Sequence, residues 1–321
     1  MNANTLRPPT ADDIQAAADA LGPYRVRTPL LRLNGYEGPG EVYLKLENLQ
    51  TIGAYKVRSI GNLLLNTDPA DLRHGAYTAS SGNAGLALAW MAEKLGIPAR
   101  VYATESSPAA KLDAIRHCGA EVCLLDAEEW WHIIEDSGYA KDPGLYADAV
   151  RDPLALAGNA TIGVEIAGQL PDVDTVILPF GGGGVACGTA AGLNMVKPGV
   201  RVMVAESDAA TPASAAFAAG HPTEVPVTPS FISGAGAPCV LKEMWPLINE
   251  LVIETRVVPV AAVAGAIRHL CRHNRVVAEG AGALPVAAAL ADGGYEGKTV
   301  CVVTGGNIDA DVLAAILNEE L

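Results

Sequence analysis

Four consecutive glycines, Gly181, Gly182, Gly183 and Gly184, stand between an apolar run ending Ile177-Leu178-Pro179-Phe180 and a stretch of small residues beginning Val185-Ala186-Cys187-Gly188. Without Cβ atoms a backbone can turn several N–H groups toward one point, and a helix starting there adds positive potential. The arrangement predicts a phosphate cup at a strand end. A flexible turn is the plain alternative, but turns seldom need four glycines flanked by strand and helix. The run lacks the Gly-Lys-Ser/Thr ending of a nucleoside-triphosphate loop and the separated glycines of a dinucleotide site, which favours a monophosphate.

Around this point strand-like apolar runs alternate with helical patterns, at 42–46, 76–79, 100–104, 122–125, 175–178, 200–205 and 299–303. Such a βαβ rhythm predicts an α/β protein with parallel sheets. One helix has clear punctuation: Ser107 as N-cap, Pro108 at its first position, and Gly119 as the stop after Arg116 and His117. The rhythm pauses at 142–152, the expected crossover between two lobes. In open α/β sheets ligands settle at the carboxyl ends of strands, so the loops there carry the functional reading.

Composition narrows the partner. The 321 residues (33.1 kDa) are half hydrophobic and carry 22 Lys and Arg against 36 Asp and Glu, a net charge of −14. Such a chain can bury a large core, while its acidity argues against binding nucleic acid or an anionic membrane. Six cysteines, scattered without a paired framework, imply reduced thiols and a cytoplasmic location. No basic start leads into an apolar stretch, so no signal peptide is expected. Residues 175–196 form an uncharged run of 22, but its four glycines, at about 1 kcal/mol each in helix propensity, exclude a membrane helix. A small molecule is the expected partner.

Three more loops carry chemistry. Gly53-Ala54-Tyr55-Lys56-Val57-Arg58 puts a lysine at a helix start, where the helix N-terminus and Arg58 would lower its protonated fraction, as a Schiff-base amine requires. Taken alone, Lys56 also fits a solvated surface lysine. Thr78-Ala79-Ser80-Ser81-Gly82-Asn83 places two hydroxyls and an amide at a strand-to-helix turn, which also fits a simple N-cap. Val303-Thr304-Gly305-Gly306-Asn307 repeats the pattern near the C-terminus.

Together these motifs resemble the pyridoxal-phosphate (PLP) enzymes of the tryptophan-synthase-β type, fold type II, and within them the serine/threonine dehydratase and serine racemase branch. The likeness runs in order from Lys45-Leu46-Glu47-Asn48 through the Lys56 turn, the Ser80 loop, Ala157-Gly158-Asn159, the glycine run and Glu279-Gly280-Ala281-Gly282-Ala283 to Thr304. It implies two lobes of parallel-rich open sheets flanked by helices: a large cofactor-binding lobe of residues 1–72 and 152–321, and a small substrate-loop lobe of 73–151. By the same resemblance Lys56 is the Schiff-base lysine, with Tyr55 beside the cofactor ring. Gly181, Gly182, Gly183 and Gly184 bind the 5′-phosphate, Asn83 meets the phenolic oxygen and Thr304 the pyridine nitrogen. Ser80, Ser81, Gly82 and Asn83 grip the substrate carboxylate, and Ser81 aligns with the acid/base opposite the lysine. A neutral hydroxyl at the ring nitrogen favours loss of a β-leaving group over transamination.

The implied activity is that of a lyase of amino-acid metabolism, a hydroxy amino acid dehydratase or ammonia-lyase. Lys56 removes the Cα proton, the β-hydroxyl leaves with proton help from the cofactor phosphate, and a 2-oxo acid and ammonia result. A homodimer is implied too. The alternatives are a β-replacement synthase or racemase on the same fold, or a non-catalytic binding protein.

Several positions depart from the branch. Ala84 replaces a His after the Ser-Gly-Asn loop, and Asp148-Ala149-Val150-Arg151-Asp152 and Ser233-Gly234-Ala235-Gly236-Ala237 replace two further loops. The exchanges predict a pocket that admits a larger β-substituent, a phenyl ring or a carboxylate carried to Arg151. Glu206 matches a cation ligand of the racemase branch, but Pro212 stands where an Asp is needed and Asp208 has the wrong offset. That departs from the pattern of the divalent site and leaves Glu206, with backbone carbonyls, open to a monovalent ion. His269 and His273 lack a second ligand group for zinc. With nothing after Leu321, control by an appended amino-acid sensor is not expected.

Overall fold

The computed structural model of the chain describes residues 6–105, 107, 109–291 and 294–321. In chain order come α1 (Ala11–Leu21), β1 (Leu30–Arg32), β2 (Glu41–Lys45), α2 (Lys56–Asn66), β3 (Ala76–Ala79), α3 (Asn83–Leu95), β4 (Ala99–Thr104) and α4 (Ala109–His117). There follow β5 (Glu121–Leu125), α5 (Ala127–Glu135), β6 (Leu145–Tyr146), α6 (Pro153–Gln169), β7 (Thr175–Pro179), α7 (Gly184–Val196), β8 (Arg201–Ser207) and α8 (Pro212–Ala219). The last elements are α9 (Trp245–Leu251), β9 (Glu254–Val258), α10 (Val260–His269), α11 (Gly280–Leu290), β10 (Lys298–Val302) and α12 (Ala310–Leu317).

The strands form a six-stranded sheet, order β1-β2-β10-β7-β8-β9, and a four-stranded sheet, order β5-β4-β3-β6. All neighbours run parallel except β1 and β2. The larger sheet is covered on both faces. On β7, Val176 and Leu178 pack toward α6, α7 and α9 while Ile177 packs toward α10 and α11, and β8 repeats this with Val202 and Val204 against Met203. Burial on both sides is why these strands read as continuous apolar runs without alternation. In the smaller sheet Ala99 and Val101 face α2 and α3, and Tyr102 faces Ile133 of α5.

Two contacts position the site. Helices α6 and α7 touch backbone to backbone: a Cβ added to Gly192 would stand 2.0 Å from the Ala160 carbonyl oxygen. The smaller sheet is entered through β3 and left through β6, and these two are neighbours, with Leu145 N donating to Gly75 O at 3.0 Å and Ala147 N to Tyr77 O at 2.7 Å.

All seven expected strands form, displaced at their ends by at most two residues. Unforeseen were β1, β9 and β6, the last inside the supposed pause at 142–152. Helix α4 begins at Ala109, and Gly119 beyond it has the left-handed φ of +82° expected of a stop. Ser107 lies in the turn before it, its Oγ 3.1 Å from Thr104 Oγ1, and Pro108 is outside the described residues. Among the described residues no helix is long and apolar enough to cross a membrane, and none of the six cysteines is paired.

Candidate active site

The carboxyl ends of β3 and β7, the loop after β10 and the start of α2 open onto one cavity of about 590 Å³. Its lining contains Tyr55, Lys56, Ser80, Ser81, Gly82, Asn83, Gly181, Gly182, Gly183, Gly184 and Thr304. Residues drawn from four separate stretches of sequence thus meet in one place.

Lys56 is fixed by its approach loop. Asn48 N donates to Val303 O, Tyr55 N to Thr304 O and Gly306 N to Gly53 O, each at 2.9 Å, so the loop before α2 is zipped to the loop after β10. The Lys56 Nζ lies 5.0 Å from the centre of the Tyr55 ring. Arg58, one turn-half further on, is wholly buried and donates from Nε to Glu47 Oε2 at 2.7 Å and from Nη1 to Glu165 Oε1 at 2.9 Å. Lys45 Nζ joins Glu165 Oε2 at 2.6 Å. This corrects one expectation: the Arg58 guanidinium is ion-paired with Glu47 and with Glu165, the latter shared with Lys45 and Arg25, so it anchors the start of α2 and is not a free positive charge aimed at Lys56.

At the glycine run, Gly183 has φ +87° and α7 begins with no side-chain cap on its N–H groups. A Cβ on Gly182 would come within 2.7 Å of Val150 Cγ1. A cradle that only backbone can line, floored by uncapped helical N–H donors, fits the phosphate of PLP. Helix α3 likewise starts without a side-chain cap, after the turn in which Gly82 N donates to Ser80 Oγ at 3.2 Å. Thr304 is only 3% exposed and offers a neutral hydroxyl at the cavity wall.

Asn83 is held at both ends of its amide. Its Oδ1 accepts from Asn307 Nδ2 at 2.8 Å, and its Nδ2 donates to Glu279 Oε1 at 2.7 Å, leaving one N–H over. Glu279 is 6% exposed; burial pushes its carboxyl up to about 7, against the lowering effects of the Asn83 hydrogen bond and the Lys111 charge. Glu279 opens the Glu-Gly-Ala-Gly-Ala motif, in which the sequence alone assigns it no role. Its signal was a lone acid opening an otherwise wholly apolar helix, α11. Asn307, Lys111, Trp130, Ile134 and Tyr146 also line the cavity and were not singled out.

Two candidates turn out to be engaged elsewhere. Glu206 lies apart from the cavity lining and caps α8: Oε1 accepts from Ala213 N at 2.7 Å, and Oε2 from Ser214 N at 2.9 Å and Ser214 Oγ at 2.7 Å. Among the described residues no cluster of three or more His, Cys, Asp or Glu could hold a metal ion. Arg151 does line the cavity, but its Nε donates to Asp148 Oδ2 at 2.6 Å and its Nη2 to Ile134 O at 2.5 Å. Its charge is balanced before any substrate arrives.

A family model described as pyridoxal-phosphate dependent enzyme matches residues 22–305. An L-threonine ammonia-lyase of Geobacter sulfurreducens is 36% identical over 321 residues, covering 96% of this chain and 78% of that protein. A β-hydroxyaspartate dehydratase of Paracoccus denitrificans is 32% identical over 316 residues, covering 95% and 98%. Among solved structures, maize serine racemase superposes with a TM-score of 0.88 at 26% identity, over 98% of each chain. Similarity over this extent assigns the chain: it belongs to the pyridoxal-phosphate dependent enzymes, with the two-sheet architecture of their fold type II.

Proposed function

We propose that the protein is a PLP-dependent ammonia-lyase that converts a β-hydroxy α-amino acid to a 2-oxo acid and ammonia. The observation that carries this reading is the meeting of Lys56, the uncapped glycine cradle and the 80–83 loop in one cavity. The names of the relatives support it, since several act as threonine ammonia-lyases or dehydratases.

When bound through a Schiff base, PLP withdraws electrons from the substrate Cα. The remaining work falls to the chain. Lys56 holds the cofactor and, once released, takes the proton from Cα. The N–H groups of Gly181 to Gly184 and the α7 N-terminus hold the phosphate, and the spare N–H of Asn83 serves the phenolic oxygen. Ser80, Ser81, Gly82 and the N-terminus of α3 would hold the substrate carboxylate, and Ser81 would serve as a second acid/base. Thr304 gives the ring nitrogen a hydroxyl that carries no charge, which favours departure of the β-hydroxyl. In the overall balance water leaves from Cα–H and Cβ–OH, the resulting enamine takes water back, and ammonia departs.

We further propose lobes of 1–72 with 152–321 and of 73–151, paired as a homodimer of twice 33.1 kDa. Six unpaired cysteines support a reducing, cytoplasmic setting. The test of the central reading is chemical. Borohydride added to the PLP-loaded protein should fix the cofactor to the peptide carrying Lys56, and Lys56→Ala should abolish release of 2-oxo acid and ammonia from hydroxy amino acids. A label on another lysine, or turnover that survives the substitution, overturns the reading.

A further inference from the structure

Resting on the dehydratase reading, we propose that the substrate's β-substituent is a bulky apolar group of the phenyl class, larger than the methyl of threonine and uncharged, unlike the carboxylate of 3-hydroxyaspartate. The cavity wall contributed by the smaller sheet carries this. It presents Trp130 and Ile134 from α5, Tyr146 from β6 and Leu86 from α3, with Ala84 and Ala114 leaving room between them.

Two polar atoms of that wall already have partners inside the lobe. Trp130 Nε1 donates to Tyr102 O at 3.1 Å and Thr78 Oγ1 to Ala147 O at 3.1 Å. Arg151 is itself paired with Asp148. Against the face made by Trp130, Ile134, Tyr146 and Leu86 an anionic substituent would lose its hydration and meet only the paired Arg151, whereas an aromatic ring loses nothing by leaving water. Lys111, on α4, turns its Nζ away from that face to Ser233 Oγ at 3.4 Å, and Lys56 is the Schiff-base lysine.

The wall is also backed by packed rings. Tyr77 stands edge-on to Tyr102 (ring centres 5.7 Å, planes at 89°), Tyr102 edge-on to Tyr139 (4.9 Å, 73°), and Tyr146 leans on Tyr77 at 5.4 Å. A preformed aromatic surface binds a ring without first having to order its own side chains.

The experiment compares kcat/KM of the holoenzyme for 3-phenylserine, L-threonine and 3-hydroxyaspartate. A single methylene in an apolar pocket already discriminates about 10–200-fold, so phenylserine should exceed threonine by at least about tenfold. Trp130→Ala and, separately, Ile134→Ala should each lower the phenylserine-to-threonine ratio several-fold, chiefly through KM for phenylserine. The unreactive analogues L-phenylalanine, L-alanine and L-aspartate, titrated into unsubstituted holoenzyme, should bind tightest as the phenyl compound; this arm does not depend on either variant folding. Threonine or 3-hydroxyaspartate as the best substrate overturns the inference and leaves the dehydratase reading standing. No turnover of any of the three, with Lys56 unlabelled by borohydride, overturns both.

Discussion

Glu279 is the residue in which burial and chemistry meet most directly. With its carboxyl raised to about 7 from an ordinary value of 4.5, the folded chain keeps a proton that the unfolded chain has released between those two pH values. The unfolded state therefore binds fewer protons, and Glu279 erodes stability as pH rises through that window, with the whole effect in place above 7. In the apoprotein, Glu279→Gln should gain stability relative to the unsubstituted chain between pH 5 and 8, by about 1 kcal/mol or more, measured by denaturant titration at each pH. A constant difference across that range would mean that Glu279 is ionised throughout. Lys56, the glycines and Asn83 were legible beforehand because their chemistry is local to a short motif. Glu279 was not, because its displacement comes from burial that only the assembled fold creates, against the opposing hydrogen bond of Asn83, 196 positions away in the chain.

Among elements, β7 and β8 were the most legible strands, because burial on both faces makes them continuous apolar runs. The three unforeseen strands lack that signature. Strand β9 reads Glu-Thr-Arg-Val-Val at the open edge of its sheet, β6 has two residues, and β1 is a half-exposed antiparallel edge of three. Their pairing is set by neighbours far away in sequence, not by composition. The contact of α6 with α7 supplies a prediction of its own. Gly192→Ala would drive a methyl into the Ala160 carbonyl and should cost about 1–3 kcal/mol, read as a lower midpoint of thermal unfolding. Gly265→Ala is its control: it lies within α10, where an added Cβ meets only the Arg268 guanidinium at 3.9 Å, and it should be neutral or stabilising by up to about 1 kcal/mol. Equal losses in both would show that the close crossing is not what restricts Gly192.

At the scale of the whole molecule, a net charge of −14 surrounds a site built for an anion. Neutral N–H donors at the α7 N-terminus, and not a basic surface, form the cradle, so long-range electrostatics oppose the approach of PLP while short-range geometry favours its capture. Raising salt from about 50 to 500 mM shortens the screening length severalfold and should speed PLP association with the apoprotein. Stopped-flow rates that fall steeply with salt would instead place a cationic funnel at the mouth.

The adjacency of β3 and β6 reaches beyond this one chain. A segment that begins and ends on neighbouring strands is a cassette: it can be cut out and replaced by the matching segment of a relative without stretching the frame that receives it. Because Lys56, the glycine cradle and Thr304 stay in the frame while Trp130, Ile134 and Tyr146 travel with the cassette, recombination at this seam exchanges the wall around the substrate side chain and keeps the cofactor's main anchors. Evolution, or an engineer, has here a junction at which substrate preference can be inherited separately from the reaction.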